Sequence, residues 1–474
     1  MNKDSRNNNG NSRFWNFIDN IQGDKVVWVI VFMLIIVSVL AIFSSTSLLK
    51  EGTKDRIDFI RDHIIVVGIG LGLITGLYNI KRIGVFRFFA KLGFLVSLVF
   101  LAMLDSHLKI PGVIEAEYIN GAWRTLRVAG LQIHVFEVVK VAMVMYLAWA
   151  LHGYHEDKEA LSKGEESRYF KFCNKFSDSV NFRFLSTPFA KRMIYMYLPI
   201  MITCVMVLMG SGSSAIFIGG ILVAVLVIGG APFKEIGIAA AGGLAILLLI
   251  VGMYNATDGK VFSSFERIAT MNTRIGADYD VERLKNTRRG SVDFFQELDK
   301  IKQPYSAKIA IHEGGILGKG IGGSTQKYVV SNIYGDYMFS FIVEEYGLIG
   351  GILIILLYVS LLARGSLIAS KCSNEFAKIA VGGLSILITG QAFMHMMVNV
   401  DIGPMTGQTL PLISHGSFAF IVFCIAFGVI LSISRMARDE IKEVEESAAP
   451  LYEREHGSDD IQASMDILEQ IDLE

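Results

Sequence analysis

Ten apolar runs, each long enough to cross a membrane as a helix, constrain this sequence more than any other feature. They lie near residues 26–46, 60–79, 84–104, 131–151, 193–211, 214–231, 235–254, 337–362, 378–400 and 412–433. A helix of about 20 apolar residues spans the hydrocarbon core of a bilayer, and 52% of the chain is hydrophobic. Such runs are too long and too numerous for a soluble core. We therefore predict an all-α polytopic membrane protein with ten transmembrane helices in residues 25–436.

Lysine and arginine residues set the predicted orientation of these helices. They are concentrated between helices two and three, four and five, and eight and nine, and after helix ten, which places those segments in the cytoplasm. Residues 1–24 then form a cytoplasmic N-terminal tail and residues 437–474 an acidic cytoplasmic C-terminal tail. The net charge of −1 does not indicate nucleic-acid binding. The four cysteines lack a metal-ligand spacing, so we predict no metal ligand among them.

The segment between predicted helices seven and eight, residues 255–336, is expected to be a large loop on the outer side of the membrane. A loop of about eighty residues indicates either function or disorder. Among its carboxylates, Asp299 is the candidate general base, because an apolar segment that can hold it near the bundle follows. Lys308 and Lys319 add to the basic charge of the loop. That charge suits an anionic headgroup or pyrophosphate, with a solvated loop face as the alternative.

Charged side chains also occur inside the apolar runs, where they are costly and usually mark a site or a pathway. Glu137 and Lys140 lie three residues apart on one face of helix four, so they form either a structural ion pair or part of a binding site. Arg124 precedes this helix and either holds a phosphate bidentately or anchors the chain at the interface. Residues 399–417, rich in Gly and Pro, break the helical pattern, and we predict that they line a cavity.

Three groups of residues resemble signatures of the SEDS family (shape, elongation, division and sporulation) of bacterial cell-wall proteins, nearest to its FtsW members. The first group runs from the large loop into helix eight and comprises Lys308, Ile309, Ala310, Ile311, Gly314, Gly315, Gly318, Lys319, Gly320, Ser324, Gln326, Lys327, Asp336, Glu344 and Glu345. The second follows helix nine and comprises Gln391, Ala392, Asn399, Gly403, Pro404, Thr406, Gly407, Leu410, Pro411, Ile413, Ser414 and Gly416. The third, around helix four, comprises Gly121, Ala122, Arg124, Glu137 and Lys140.

The resemblance implies a peptidoglycan glycosyltransferase that polymerises lipid II in the bacterial inner (cytoplasmic) membrane at the division septum. An aspartate of the outer loop would act as general base. Implied partners are a class B penicillin-binding protein and other divisome membrane proteins, not nucleic acid. No cofactor is firmly implied, and a divalent cation, Mg²⁺ or Mn²⁺, stays open. The substrate-binding candidates that it assigns are Arg124, Glu137, Lys140, Lys308, Lys319, Asp336, Glu345, Gln391, Asn399 and Ser414.

The sequence departs from the family where the catalytic aspartate is expected. The family's Asp-Pro-x-Gly-x-Gly-Tyr-Gln segment is replaced by residues 296–303, Gln-Glu-Leu-Asp-Lys-Ile-Lys-Gln. Counting back from Gln303 puts Gln296 at the aspartate's position, so Asp299 requires a local shift and Glu297 is the alternative base. Two other hypotheses stay open. One is a lipid-linked precursor flippase or transporter, because charged residues near broken helices also describe a transport path, and the other is a non-catalytic scaffold for the penicillin-binding protein.

Overall fold

The computed structural model describes residues 22–46, 56–110, 113–119, 122–165, 169–170, 187–257, 281–289, 291–330, 333–402 and 406–440. Most of the two predicted tails and the apolar stretch 262–271 of the large loop lie outside these ranges. The helices are α1 Lys25–Ser45, α2 Arg56–Tyr78, α3 Ile83–Asp105, α4 Val135–Ser162, α5 Pro188–Gly210, α6 Gly212–Ile228, α7 Phe233–Ala256, α8 Val281–Asn286, α9 Val292–Gly314, α10 Met338–Lys371, α11 Glu375–Asn399 and α12 Ser417–Glu440.

All ten predicted apolar runs form helices, namely α1–α7 and α10–α12. Within the described ranges, eight of them are long and apolar enough to cross a membrane. The other two are α6, with 17 residues, and α2, which carries Arg56, Asp58, Arg61 and Asp62 in its first two turns. At 1.5 Å per residue, α6 reaches about 26 Å. The chain is therefore a membrane protein, and spanning by α2 and α6 stays a prediction.

Three helices form the centre of the bundle. In the apolar windows of α4, α11 and α12, 83%, 72% and 78% of the residues are buried, against 11% in α7. A helix surrounded by other helices can place polar side chains at membrane depth, because neighbouring helices supply their hydrogen-bond partners. Lys140 of α4 and Gln391, His395 and Asn399 of α11 are accordingly buried within the protein.

A four-stranded antiparallel sheet corrects the all-α prediction. Its strands, in spatial order, are β1 Lys109–Ile110, β2 Ile114–Ile119, β3 Ala122–Val128 and β4 Leu131–His134. Between β3 and β4 the two turn residues, Ala129 and Gly130, have φ values of 49° and 85°. Positive φ at both central residues is the turn that matches the right-handed twist of a hairpin. Apolar periodicity alone predicted helix four from residue 131, but β4 pairs with β3, so α4 begins at Val135.

The predicted large loop contains regular structure, since α8 and α9 both lie in it. Helix α9 begins behind Ser291, whose hydroxyl accepts a hydrogen bond from the Phe294 backbone N–H (3.1 Å). Ala307 and Ala310 are buried, and Gly314 packs on α10 so closely that an added Cβ would lie 2.1 Å from the Val343 carbonyl oxygen. The second half of α9 therefore packs against the helix bundle.

A break in α10 explains the run of glycines that follows α9, here called the glycine loop (residues 315–323). Gly347 has a φ of 71°, so the regular hydrogen bonds of α10 are interrupted there. The N–H groups of residues 319 and 320 donate to the carbonyls of residues 344 and 345 (2.9 and 3.0 Å), and those of residues 348 and 349 donate to the carbonyls of residues 315 and 316 (2.9 and 3.4 Å). Polar backbone groups released by the break are thus paired, as membrane depth requires.

Candidate functional site

A cavity of about 210 Å³ lies at the end of the bundle that carries the sheet, which we call the sheet end. Strand β3, the start of α4, the segment before α10 and the segment after α11 enclose it. This confirms for residues 406–409 and 415–416 the prediction that the irregular chain after α11 lines a cavity. The lining residues are Arg124, Thr125, His134, Phe136, Glu137, Ser214, Gly335, Asp336, Thr406, Gly407, Gln408, Thr409, His415, Gly416 and Ala419.

Lys140 lies directly behind the cavity wall and is buried. Its ammonium group donates to Glu137 Oε1 (2.6 Å), to Gln408 Oε1 (2.8 Å) and to Gln391 Oε1. An ammonium has three donors, so each of them has a partner. The predicted ion pair between Glu137 and Lys140 is present, and it joins α4 to α11 and to the segment after α11.

Four buried polar atoms that belong to residues lining the cavity have no hydrogen-bond partner among the residues that the structure describes. They are the hydroxyl oxygens of Thr125, Thr406 and Thr409 and the second carboxylate oxygen of Glu137, Oε2. A buried polar atom without a partner costs about 1–3 kcal/mol, so such atoms are rare in cores and usually indicate a function. Hydroxyls donate and accept, and a carboxylate oxygen accepts. The cavity therefore suits a ligand rich in hydroxyl or amide groups.

Arg124 and Asp336 supply charge to the cavity wall, next to the Glu137–Lys140 pair. Gly407 has a φ of +61°, and an added Cβ would lie 3.3 Å from Arg124 Nη1, so the glycine leaves room for the guanidinium. Burial lowers the pKa of His134 below its usual 6.5, although the nearby Glu137 opposes the shift. His134 is therefore neutral near pH 7. The cavity wall combines hydroxyls with one cationic side chain, Arg124, and two acidic ones, Glu137 and Asp336.

Gln408 and Ser214 belong to the site but were not predicted. Gln408 Nε2 donates to Ser214 Oγ (3.0 Å), and the backbone carbonyl oxygen of Gln408 lies 2.7 Å from His395 Nδ1. Ser214 stands in the first turn of α6, capped by Ser211. The available signal was weak: Gln408 lies within the irregular segment that was expected to line a cavity, and a single glutamine there has no pattern of its own.

Gln391, Asn399 and Ser414 support the cavity from behind. Gln391 Nε2 donates to the Thr409 carbonyl (3.1 Å). Asn399 accepts from the Ser340 N–H (2.9 Å) and donates to the carbonyl of Asp336 (3.1 Å). Ser414 donates to the Gly335 carbonyl (2.7 Å) and accepts from the Leu410 N–H (3.0 Å). These side chains hold the segments that enclose the cavity, and substrate binding by them stays a prediction.

Lys319 and Glu345 lie in a second polar cluster, where the glycine loop meets α10. Lys319 pairs with Glu313 and with Glu344 Oε1 (2.8 Å), and Glu345 accepts from Ser44 Oγ (2.7 Å) and from the Gly322 N–H (3.1 Å). The hydrogen bond from Lys319 holds the pKa of Glu313 below its usual value. The structure thus separates these two predicted residues from the cavity and satisfies their charges within the protein.

Lys308 lies on α9, outside the cavity. Lys308 forms an ion pair with Asp401, which joins α9 to the end of α11. The backbone of residues 297 and 299 belongs to the first half of the same helix, and their side chains are not described. Among the described residues, no group of three or more His, Cys, Asp and Glu side chains could hold a metal ion.

Comparisons with known proteins agree with this architecture. A family model for FtsW, RodA and SpoVE, described as "Cell cycle protein", matches residues 24–439. The Probable peptidoglycan glycosyltransferase FtsW of Enterococcus hirae is 25% identical over 435 residues, which cover 89% of this chain and 95% of that protein.

Two solved structures share the fold. One is a chain from a study of how a peptidoglycan synthase complex coordinates polymerization and crosslinking, with a TM-score of 0.57, 18% identity, and coverage of 87% of this chain and 98% of that one. The other, the rod shape determining protein RodA of Thermus thermophilus, has a TM-score of 0.51, 18% identity, and coverage of 88% and 98%. Together with the family match over residues 24–439, these findings show that the chain belongs to the FtsW/RodA/SpoVE family of cell cycle proteins.

Proposed function

We propose that this chain is a peptidoglycan glycosyltransferase that polymerises lipid II into glycan strands during bacterial cell division. The observation that carries the proposal is the cavity at the sheet end, where Glu137 Oε2 and three threonine hydroxyls lack a hydrogen-bond partner within the described part of the chain. Sugars and their acetamido groups supply the hydroxyl and amide groups that such atoms need. Membership of the family and the name of the Enterococcus hirae relative support the same activity.

The general base in this proposal is a carboxylate of α9, with Asp299 preferred to Glu297. The helical repeat places position 299 on the stripe that continues through Ser306 and Ala310, both of which are buried towards the bundle. Position 297 lies on a second stripe, which passes through the buried Pro304 and reaches the exposed Lys308. From Lys308, which contacts the end of α11, nine residues of helix put position 299 about 14 Å further along α9. The base would therefore stand above the mouth of the bundle.

The reaction is a displacement at the anomeric carbon of the donor lipid II. The carboxylate takes the proton from the 4-hydroxyl of the acceptor sugar, and the oxygen forms the new glycosidic bond. The bond between the anomeric carbon and the polyprenyl pyrophosphate breaks, and the pyrophosphate leaves with its electron pair. A single displacement inverts the anomeric centre.

Arg124 and Lys140 have separate roles in this proposal. The guanidinium of Arg124 lines the cavity and suits bidentate contact with a pyrophosphate oxygen pair, which stabilises the charge on the leaving group. Lys140 holds Glu137 and Gln408 in place, because its three donors are already used within the protein. The described residues provide no metal site of their own, so no step is assigned to a metal.

The proposal includes the finer topology. All ten membrane helices span the bilayer, both termini are cytoplasmic, and the loop 255–336 with α8 and α9 lies on the outer side, where lipid II is polymerised at the septum. A class B penicillin-binding protein crosslinks the product. The first structural relative comes from a study of a peptidoglycan synthase complex that coordinates polymerization and crosslinking, which supports this partner.

The test is polymerisation of labelled lipid II by the purified chain with its transpeptidase partner. We expect polymer from the wild type and a loss of two or more orders of magnitude for Asp299→Asn, because general-base catalysis contributes about 10²–10⁴-fold. Asp293→Asn is the matched control, since Asp293 is an exposed carboxylate of the same helix. Loss in Glu297→Gln alone would assign the base to Glu297 and keep the reaction.

Other outcomes would reject the proposal. Movement of lipid II across a bilayer without polymer would indicate a flippase. An inactive wild type that still binds the penicillin-binding protein would indicate a scaffold. Full activity in both α9 variants would remove the base from this helix.

A further inference from the structure

The glycine loop presents its apolar side chains outwards and its charged side chains inwards. Ile316, Leu317 and Ile321 are 69%, 79% and 72% exposed. The side chain of Lys319 in the loop is 21% exposed and that of Lys327, four residues after the loop, is 2% exposed. Both ammonium groups lie against the buried carboxylates of α10. A loop in water shows the opposite pattern, and a cluster of exposed apolar side chains usually marks an interaction site.

The depth of this loop follows from its pairing with α10. Its backbone is hydrogen-bonded to residues 344–349, where Leu348 and Ile349 are themselves exposed apolar side chains. Sixteen residues further along α10, Arg364 pairs with Asp24, which caps the start of the membrane helix α1. Sixteen residues of helix measure about 24 Å, close to the hydrocarbon thickness of about 30 Å. With Arg364 at one boundary of the hydrocarbon, Leu348 lies near the other.

We infer that Ile316, Leu317 and Ile321 insert into the lipid leaflet at the sheet end of the bundle, at the boundary between acyl chains and headgroups. Their apolar surface continues the exposed face formed by Leu348 and Ile349 of α10. Lipid is therefore the occupant that this position and chemistry favour. The inference concerns the whole chain in a membrane and does not depend on the proposed activity.

This contact has a consequence for α9. The helix ends at Gly314, which packs directly on the α10 backbone, and the lipid-inserted loop follows at once. The loop therefore fixes the last turn of α9 at the membrane surface. Lipid contact thereby sets the height of the helix that carries residues 297 and 299.

The wild-type chain in nanodiscs of phosphatidylethanolamine and phosphatidylglycerol, the latter carrying a diazirine in its acyl chain, tests the inference. After irradiation, cleavage at Lys308, Lys319 and Lys327 releases the loop as peptides 309–319 and 320–327. We expect lipid adducts on Ile316 and Leu317 in the first peptide and on Ile321 in the second. Absence of adducts from both peptides, while peptide 328–364 of α10 is labelled, would overturn the inference.

The matched variant is Ile316→Ser with Leu317→Ser. Adducts in peptide 309–319 should fall on the order of ten-fold, because serine removes the surface that partitions into lipid. Adducts in peptide 328–364 should keep their yield, which also reports that α10 is intact. Adducts confined to residues 309–312 would place the lipid contact on α9 and contradict the inference. If the loop carries no lipid adducts and Leu317 instead cross-links to an added penicillin-binding protein, the surface is assigned to that partner.

Discussion

Replacing Lys140 by methionine removes one charge from the centre of the bundle and keeps most of the side-chain volume. The Lys140 side chain is 1% exposed, and the Glu137 carboxylate and the oxygens of Gln391 and Gln408 would lose their donor. Removing one partner of a buried ion pair costs about 3–5 kcal/mol. We therefore expect Lys140→Met to lower the free energy of unfolding by about 3–5 kcal/mol.

The assay is thermal unfolding of the detergent-solubilised chain. Size-exclusion chromatography after heating measures the fraction that is still folded at each temperature. Adding Glu137→Gln to Lys140→Met removes the stranded charge, and this double variant should regain about half of the lost stability or more. The matched control is Lys163→Met, which breaks the exposed pair with Glu159 at the end of the same helix. Its loss should leave the unfolding temperature nearly unchanged, because solvent screens the charges of an exposed pair.

Two results would refute this reasoning. A Lys140→Met variant as stable as wild type would mean that the pair is not buried. A double variant no more stable than Lys140→Met would mean that the uncompensated charge of Glu137 is not the cause of the loss.

Three further predictions use other parts of the structure. Gly318 and Gly322 both have positive φ, but only at Gly318 would an added Cβ meet the backbone, 2.3 Å from the Glu345 carbonyl oxygen. Gly318→Ala should therefore lower the unfolding temperature more than Gly322→Ala. Equal shifts in the two variants would contradict the close approach at Gly318. Arg124→Lys keeps the charge but loses the planar fork, so the KM for lipid II should rise on the order of ten-fold, and an unchanged KM would remove Arg124 from binding. Burial lowers the pKa of His134 below 6.5, so the imidazole binds a proton more readily in the unfolded chain than in the folded one. The contribution of His134 to the stability of the folded chain should be complete above the unfolded pKa and fall as pH drops below it. Unfolding midpoints of His134→Asn, measured between about pH 5 and about pH 8, should lack this decrease.

The site was predictable from sequence only in part. Glu137 and Lys140 are three residues apart, so the helical repeat is enough to place them together. The partners of Lys140 are not local: Gln391 and Gln408 lie 251 and 268 residues away. Conversely, the family resemblance assigned Glu345 and Lys319 to substrate binding, and a charge such as Glu345 is costly at membrane depth. That cost is met inside the protein, by the glycine loop and Ser44.

The sequence by itself determined the ten helices, because a membrane segment must satisfy its own backbone hydrogen bonds and expose apolar side chains, and both requirements are local. The hairpin before α4 was not predicted, because β4 reads in the sequence as the start of the apolar run that forms the helix. Only the tertiary structure decided which buried charges have an opposite charge or a hydrogen-bond partner. It also decided that polar atoms of Thr125, Thr406 and Glu137 have no hydrogen-bond partner among the described residues. Hydrogen bonding between segments hundreds of residues apart depends on how the helices pack, and no local pattern encodes that packing.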